Sequence, residues 1–180
     1  VDDLADLKGR KFQKKRNHVN RFRAEHSQFE LQNLTGGNFS AAQRMVGEWY
    51  RARMQADPTG DYMMESIAMS RAFRHYEGLQ MESAVLVENG EILAVTMGSR
   101  LWSDTFDIHF EKAREDVDGA YAAVNCEFAR YLRLKYPNLR YLNREDDVGL
   151  AGLRKAKLSY NPHHMVEKSW AYLAEDFHGD

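Results

Sequence analysis

The sequence predicts an α/β (α+β) domain with a mixed, largely antiparallel central sheet flanked by helices. Three observations carry that expectation. Residues 81–97 form two alternating arms, ESAVLVE and EILAVTM, around Asn89-Gly90, which tolerate the positive φ of a tight hairpin turn. Residues 105–111 alternate strictly, as a third strand would. Segments with apolar residues at helical spacing bracket these strands, the longest running from Asp118-Gly119 to Pro137.

Taken in order, residues 10–27 read as a helix whose stripe is Phe12, Val19 and Phe22, extended by Leu4, Leu7 and Phe29. A short strand at 29–34 closes at Gly36-Gly37. Ser40 with Gln43 three residues on has the capping-box pattern, and Met45, Val46, Trp49 and Tyr50 give that helix an apolar face. Asp57-Pro58 ends it, and a second helix is expected over 61–77, stopped by Gly78. In the third strand Phe106, Ile108 and Phe110 point one way, and Thr105, Asp107, His109 and Glu111 the other. The long helix buries Tyr121, Val124, Phe128, Tyr131 and Leu132, with Arg130, Arg133 and Lys135 placed well for the dipole at its end. A strand at 139–143, a helix at 148–159 capped by Asp146 or Asp147 and stopped by Pro162, and a last strand at 164–173 complete the domain.

Composition narrows the function classes. The 180 residues support one domain with a real core, and 43 % hydrophobic and 12 % aromatic content are globular values. No apolar run approaches the roughly 20 residues of a membrane helix. A single cysteine, Cys126, excludes an internal disulfide and a cysteine-rich zinc site, and suits the cytoplasm. Net charge is −2 but uneven: residues 1–29 carry eight Lys/Arg against four acids, the remainder 17 against 23. A mildly acidic domain with a basic N-terminal segment lacks the broad basic face of a general nucleic-acid binder.

The segment GLRKAKLSYNP followed by HHMVEKSWAYL resembles the end of the phosphatidylglycerol lysyltransferase C-terminal domain family, in its short, soluble, bacterial branch. There a Gly-Leu-Arg, a lysine and an aromatic-x-Pro precede a strand ending in Tyr-Leu; LKGRKFQKKRNHVNRF and DTFDIHFEKA match as well. The resemblance implies a GNAT-like acyltransferase fold, related to enzymes that move an aminoacyl group from tRNA to a lipid or a peptidoglycan amine. The order hairpin, strand, helix, strand, helix, strand agrees with the second half of that fold. The resemblance also implies a first lobe of the same protein ahead of Val1, with residues 1–29 as the connecting basic helix and 30–180 as the acyltransferase domain. The expected partners are an aminoacyl-tRNA or other polyanion and an anionic lipid met at the inner membrane face; no cofactor is expected.

Site candidates follow from pattern and resemblance. On the third strand, Asp107, His109 and Glu111 occupy one face about 7 Å apart, where a carboxylate could deprotonate an attacking amine with the histidine as partner. A polar face satisfied by Lys112, Arg114 or backbone groups is the other reading. A metal site is not expected, because one strand gives three ligands poor tetrahedral convergence. Arg154 and Lys157, carried by the resemblance, and Arg144 are expected to hold a substrate phosphate or carboxylate, with Asp147 ordering their loop. Lys15, inside the apolar stripe, and Arg16 are expected to face a polyanion, or else to be solvated. The acids Glu115, Asp116 and Asp118 stand where the diphosphate of an acyl-CoA would dock at a helix start, which argues against that donor. An acyl-CoA transferase and a non-catalytic binding domain remain as alternatives.

Overall fold

The computed structural model describes residues 1–145, 147, 149–169 and 171. A short helix α1 (Asp2–Asp6) and a 3-10 turn (Arg10–Phe12) lead into α2 (Gln13–Glu25). Then come β1 (Glu30–Asn33), α3 (Phe39–Ala56), α4 (Met63–Arg74), α5 (Tyr76–Leu79), β2 (Glu82–Glu88) and β3 (Glu91–Arg100). The chain continues through β4 (Thr105–Ala113), α6 (Ala120–Lys135), β5 (Tyr141–Asn143) and α7 (Ala151–Leu158). The five strands lie in sequence order, all antiparallel except β5, which joins β4 in parallel. This is the mixed, largely antiparallel sheet the sequence predicts.

Asn89 and Gly90 turn the β2–β3 hairpin with φ of 51° and 82°. One sheet face packs against α3 and α4 through Met45, Val46, Tyr50, Met69 and Phe73. The other packs against α6 through Val124, Phe128 and Leu132. Helix α6 is buried on both sides, because the segment from α1 through α2 covers its outer surface, with Leu7 after α1, Phe12 of the 3-10 turn and Val19 of α2 against Ala122 and Cys126. Phe12 and Phe22 are fully enclosed, each contributing roughly 1.5–3 kcal/mol. Residues 1–29 are therefore a third layer of the domain. Gly119, at φ 80°, starts α6 against α2: a Cβ there would lie 2.6 Å from the His18 carbonyl oxygen.

Several local expectations are corrected. Asn38, not Ser40, precedes α3; its side chain accepts from the Thr35 N–H and donates to the Asn33 carbonyl. The helix expected over 61–77 is two helices broken at His75, with Gly78 inside α5 and Gln80 in the left-handed region after it. Tyr121 is more exposed than its place on the helix suggests. No strand forms over 164–169; residues 170, 172 and 173 of that expected strand, and the candidate cap Asp146, lie outside the described residues.

Helix α1 is held partly by charge. Arg133 of α6 donates to Asp6 at 2.9 Å and Lys8 pairs with it at 3.1 Å. These bonds bring the Asp6 carboxyl from 3.8 down to about 2. A depressed carboxylate stabilises the fold above its ordinary value and loses that contribution as pH falls through about 2. Asp6→Asn is expected to lower stability at neutral pH and to flatten the acid limb between those two values. Urea titrations at several acid pH values check this; an unchanged limb would mean the pair contributes nothing.

Candidate active site

β4 and β5 share only three pairs, Thr105–Tyr141, Phe106–Leu142 and Asp107–Asn143. β4 continues to Ala113 while the chain leaves β5 at Arg144, so the two strands part. Side chains from five places meet at this opening. Glu111 of β4 accepts from Arg144 at 2.8 Å and from Asn125 of α6 at 3.2 Å. The Arg144 guanidinium lies 4.5 Å from the centre of the Tyr160 ring, and the Lys15 ammonium 4.0 Å from it. Lys15 arrives here because Phe12 and Val19, three before and four after it, bury the same face of α2.

The electrostatics follow from burial. Burial lowers the Lys15 ammonium, Arg144 adds repulsion, and Glu111 opposes both. The Tyr160 hydroxyl is pushed up to about 12, chiefly by burial. Burial works against the Arg144 charge, but Glu111 and Tyr160 outweigh it and hold the guanidinium firmly protonated. Asn125 is 1 % exposed and its Oδ1 has no hydrogen-bond partner among the described residues.

Beside this cluster a cavity of about 400 Å³ opens at the start of α6. Lys15, His18, Arg53, Arg114, Tyr121 and Tyr160 are among its lining residues. The acids of this loop are balanced: Glu115 and Asp118, which line the cavity, pair with Arg53 and Arg21, and Asp116 between them pairs with Arg114 at 2.6 Å. The repulsion expected from these acids is thus offset by cations, Arg21 and Arg53 from distant parts of the sequence and Arg114 from two residues before Asp116.

The expected catalytic row on β4 is not a row. His109 is an extra residue in the ladder, since Met97 pairs Phe110 and Gly98 pairs Ile108. Phe106 and Ile108 join the α6 core, whereas Phe110 packs against the α3–α4 core. The bulge therefore turns Glu111 to the α6 face and leaves Asp107 and His109 on the opposite one. There His109 Nδ1 lies 3.0 Å from Glu145 and 3.7 Å from Asp107, and Nε2 lies 2.8 Å from Ser99 Oγ. The Glu145 hydrogen bond raises the His109 pKa, and burial followed by the Glu145 charge raises that of Asp107.

Other expected site residues are placed elsewhere. Arg16 donates to the carbonyls of Leu7 and Gly9, fixing the turn after α1 instead of facing the cavity. Arg154 pairs with Asp147 at 2.6 Å and is 61 % exposed, because the Leu150 and Leu153 face of α7 lies outward among the described residues. Asp147 orders the loop by accepting from the Gly149 N–H. Lys157 donates to the Arg144 carbonyl, so it steadies the residue at the opening. Tyr160 and Glu145 were missed. The aromatic-x-Pro pattern that ends at Pro162 pointed to Tyr160; nothing local marks Glu145.

The profile of the phosphatidylglycerol lysyltransferase C-terminal family matches residues 1–172. The chain belongs to this family. It is similar to a conserved protein of unknown function from Bacteroides thetaiotaomicron, with 40 % identity and a TM-score of 0.83 over 91 % of this chain. A C-terminal domain assigned to a lysylphosphatidylglycerol synthetase of Agrobacterium fabrum shares 16 % identity over 88 % of this chain, at TM-score 0.54. A protein assigned as an acetyltransferase from Clostridium difficile matches over 81 % of this chain and 97 % of its own, at 10 % identity and TM-score 0.58. The fold is GNAT-like, and family and fold together support acyltransferase chemistry at the family level. This chain spans 54 % of the Bacteroides chain and 53 % of the Agrobacterium one. No curated protein matches it. Among the described residues no helix is long and apolar enough to cross a membrane.

Proposed function

We propose that this chain is the acyl-transferring domain of an aminoacyltransferase. Its donor is an aminoacyl group esterified to a tRNA-like polyanion, and its acceptor is an amine or a lipid. The observation that carries this reading is the parting of β4 and β5 beside a cavity rimmed by Lys15, His18, Arg53 and Arg114. A parted sheet gives an acyl group a way between two faces, and clustered cations with a helix start suit a phosphate-bearing carrier. On this reading Lys15 and Tyr160 meet the carrier, while Arg144, steadied by Glu111 and Lys157, faces the developing negative charge. Glu111 has both oxygens engaged, which suits an anchor better than a base. A lipid acceptor would be met at a membrane surface, and a further lobe of the protein would complete the carrier site.

An acyl-CoA donor is the second reading, favoured by the neutralised acids at the cavity mouth. Fluorescence titration with an aminoacylated CCA oligonucleotide and with CoA separates the two. Lys15→Ala is expected to weaken oligonucleotide binding about tenfold or more, the cost of a charge-assisted hydrogen bond. Lys14→Ala, on the exposed side of α2, should have little effect. CoA binding without oligonucleotide binding would replace the first reading with the second; equal losses in both variants would make Lys15 an ordinary surface charge.

A further inference from the structure

On the sheet face opposite Glu111, Asp107, His109 and Glu145 each offer one ligand atom, and the three atoms lie within 4.8 Å of one another. Side chains two apart on a regular strand stand about 7 Å from each other. The bulge at His109 instead brings Nδ1 to 3.7 Å from Asp107 Oδ2, and the loop after β5 adds Glu145 Oε1 at 3.0 Å. Ligand atoms around a tetrahedral ion with bonds of about 2.1 Å sit roughly 3.4 Å apart; the two distances from His109 Nδ1, 3.0 and 3.7 Å, bracket that value, and all three atoms lie within 4.8 Å of one another. The poor convergence expected of a single strand is thus overcome by a bulge and by a second element.

We propose that Asp107, His109 and Glu145 bind a divalent transition ion, zinc fitting this donor set best. Two further observations support it. Asp107 is 9 % exposed, and its Oδ1 is buried with no hydrogen-bond partner among the described residues, a costly state for a carboxylate. Ser99 Oγ lies 2.8 Å from His109 Nε2, where it can accept that nitrogen's proton in the tautomer that leaves Nδ1 to the two acids, as outer-shell partners do for metal-bound histidines. Two carboxylates and a neutral imidazole balance a divalent charge. Lys168 supplies positive charge to both carboxylates in the ion-free chain and is the competitor within the molecule. Three protein ligands leave one tetrahedral position open, as in catalytic zinc sites and unlike closed structural ones.

Calorimetric titration of the chelator-treated chain with zinc is expected to show one site of micromolar or tighter affinity. Cobalt substitution should give the visible absorption of a tetrahedral or five-coordinate ion. His109→Gln and Glu145→Gln should weaken binding at least tenfold. Ser99→Ala, which keeps every ligand and leaves the fold least disturbed, should weaken it about 10-fold. The exposed pair His163 and His164 is the alternative zinc binder, and His163→Ala/His164→Ala should leave the affinity unchanged. Circular dichroism confirms that each variant is folded. No zinc binding by the wild type, or a loss that follows the His163/His164 variant instead of Ser99→Ala, overturns the proposal.

Discussion

Gly98→Val is expected to lower the thermal midpoint by roughly 6–12 °C. A Cβ at Gly98 would lie 2.2 Å from the Asp107 carbonyl oxygen and 2.5 Å from Cε1 of Phe106. Neither neighbour can yield. The Asp107 carbonyl belongs to the backbone of β4, and Phe106 is fully buried with its ring edge-on to Phe128. Overpacking costs about 1–3 kcal/mol when side chains can shift, and a clash with backbone lies at the upper end. For a domain of this size each kcal/mol moves the midpoint by about 2–4 °C. Gly98 is also where the bulge begins, so displacing β4 should impair both the Glu111 cluster and the Asp107–His109–Glu145 group. Gly47→Ala is the matched control: it lies within α3 with nothing within 4 Å of a new Cβ, and should gain up to about 1 kcal/mol. Thermal denaturation of both variants decides the matter. A Gly98→Val midpoint within 2 °C of wild type would show that β4 slides aside at no cost.

The same bulge explains which parts of the molecule were legible in the sequence. Asn89-Gly90, Asp57-Pro58 and Gly119 were readable because each sets its own backbone dihedrals locally. The stripe Phe12, Val19 and Phe22 was readable because a helix repeats its burial every turn. The segment DIHFE alternates without a flaw, yet it is not a regular strand. Phe106 and Ile108 are drawn to the α6 core and Phe110 to the α3–α4 core, and an extra residue at His109 satisfies both. The register shifts opposite Met97 and Gly98 on the neighbouring strand, and Gly98 is eleven residues away from His109 in the chain. The site divides in the same way. Lys15 stood out because a cation inside an apolar stripe must meet something, whereas Arg144 and Glu111 are 33 residues apart and no periodicity joins them. Arg154 followed its helix face correctly, but among the described residues that face lies outward, paired with Asp147. The loop acids were read as repulsive because their partners Arg21 and Arg53 lie on other elements.

Arg144→Ala is expected to cost about 3–5 kcal/mol, the penalty of leaving a buried partner charge uncompensated. The side chains of Arg144 and Glu111 are only 21 % and 10 % exposed, so water can do little to replace the lost ion pair. Tyr160 would lose its stacked guanidinium as well. If the penalty comes from the orphaned Glu111 charge, removing that charge should recover most of it. Glu111→Gln is the suitable second change. Its amide oxygen can keep the hydrogen bond from Asn125 Nδ2, and its amide N–H can donate to Asn125 Oδ1, now without a partner. The variant Glu111→Gln/Arg144→Ala should therefore be at least about 2 kcal/mol more stable than the sum of the single changes, within the usual range for coupled neighbours. Urea denaturation of the four proteins in the cycle measures this coupling. Donor binding should behave differently: a cation that meets the carrier or the developing charge is absent from both Arg144 variants, and neither should bind or transfer normally. Recovery of stability without recovery of binding is the expected pattern. If Arg144→Ala loses under 1 kcal/mol, the opening between β4 and β5 is well hydrated and the pair is an ordinary surface contact. If the double variant regains binding together with stability, Arg144 serves the fold alone, and Lys15 is left as the cation that meets the substrate.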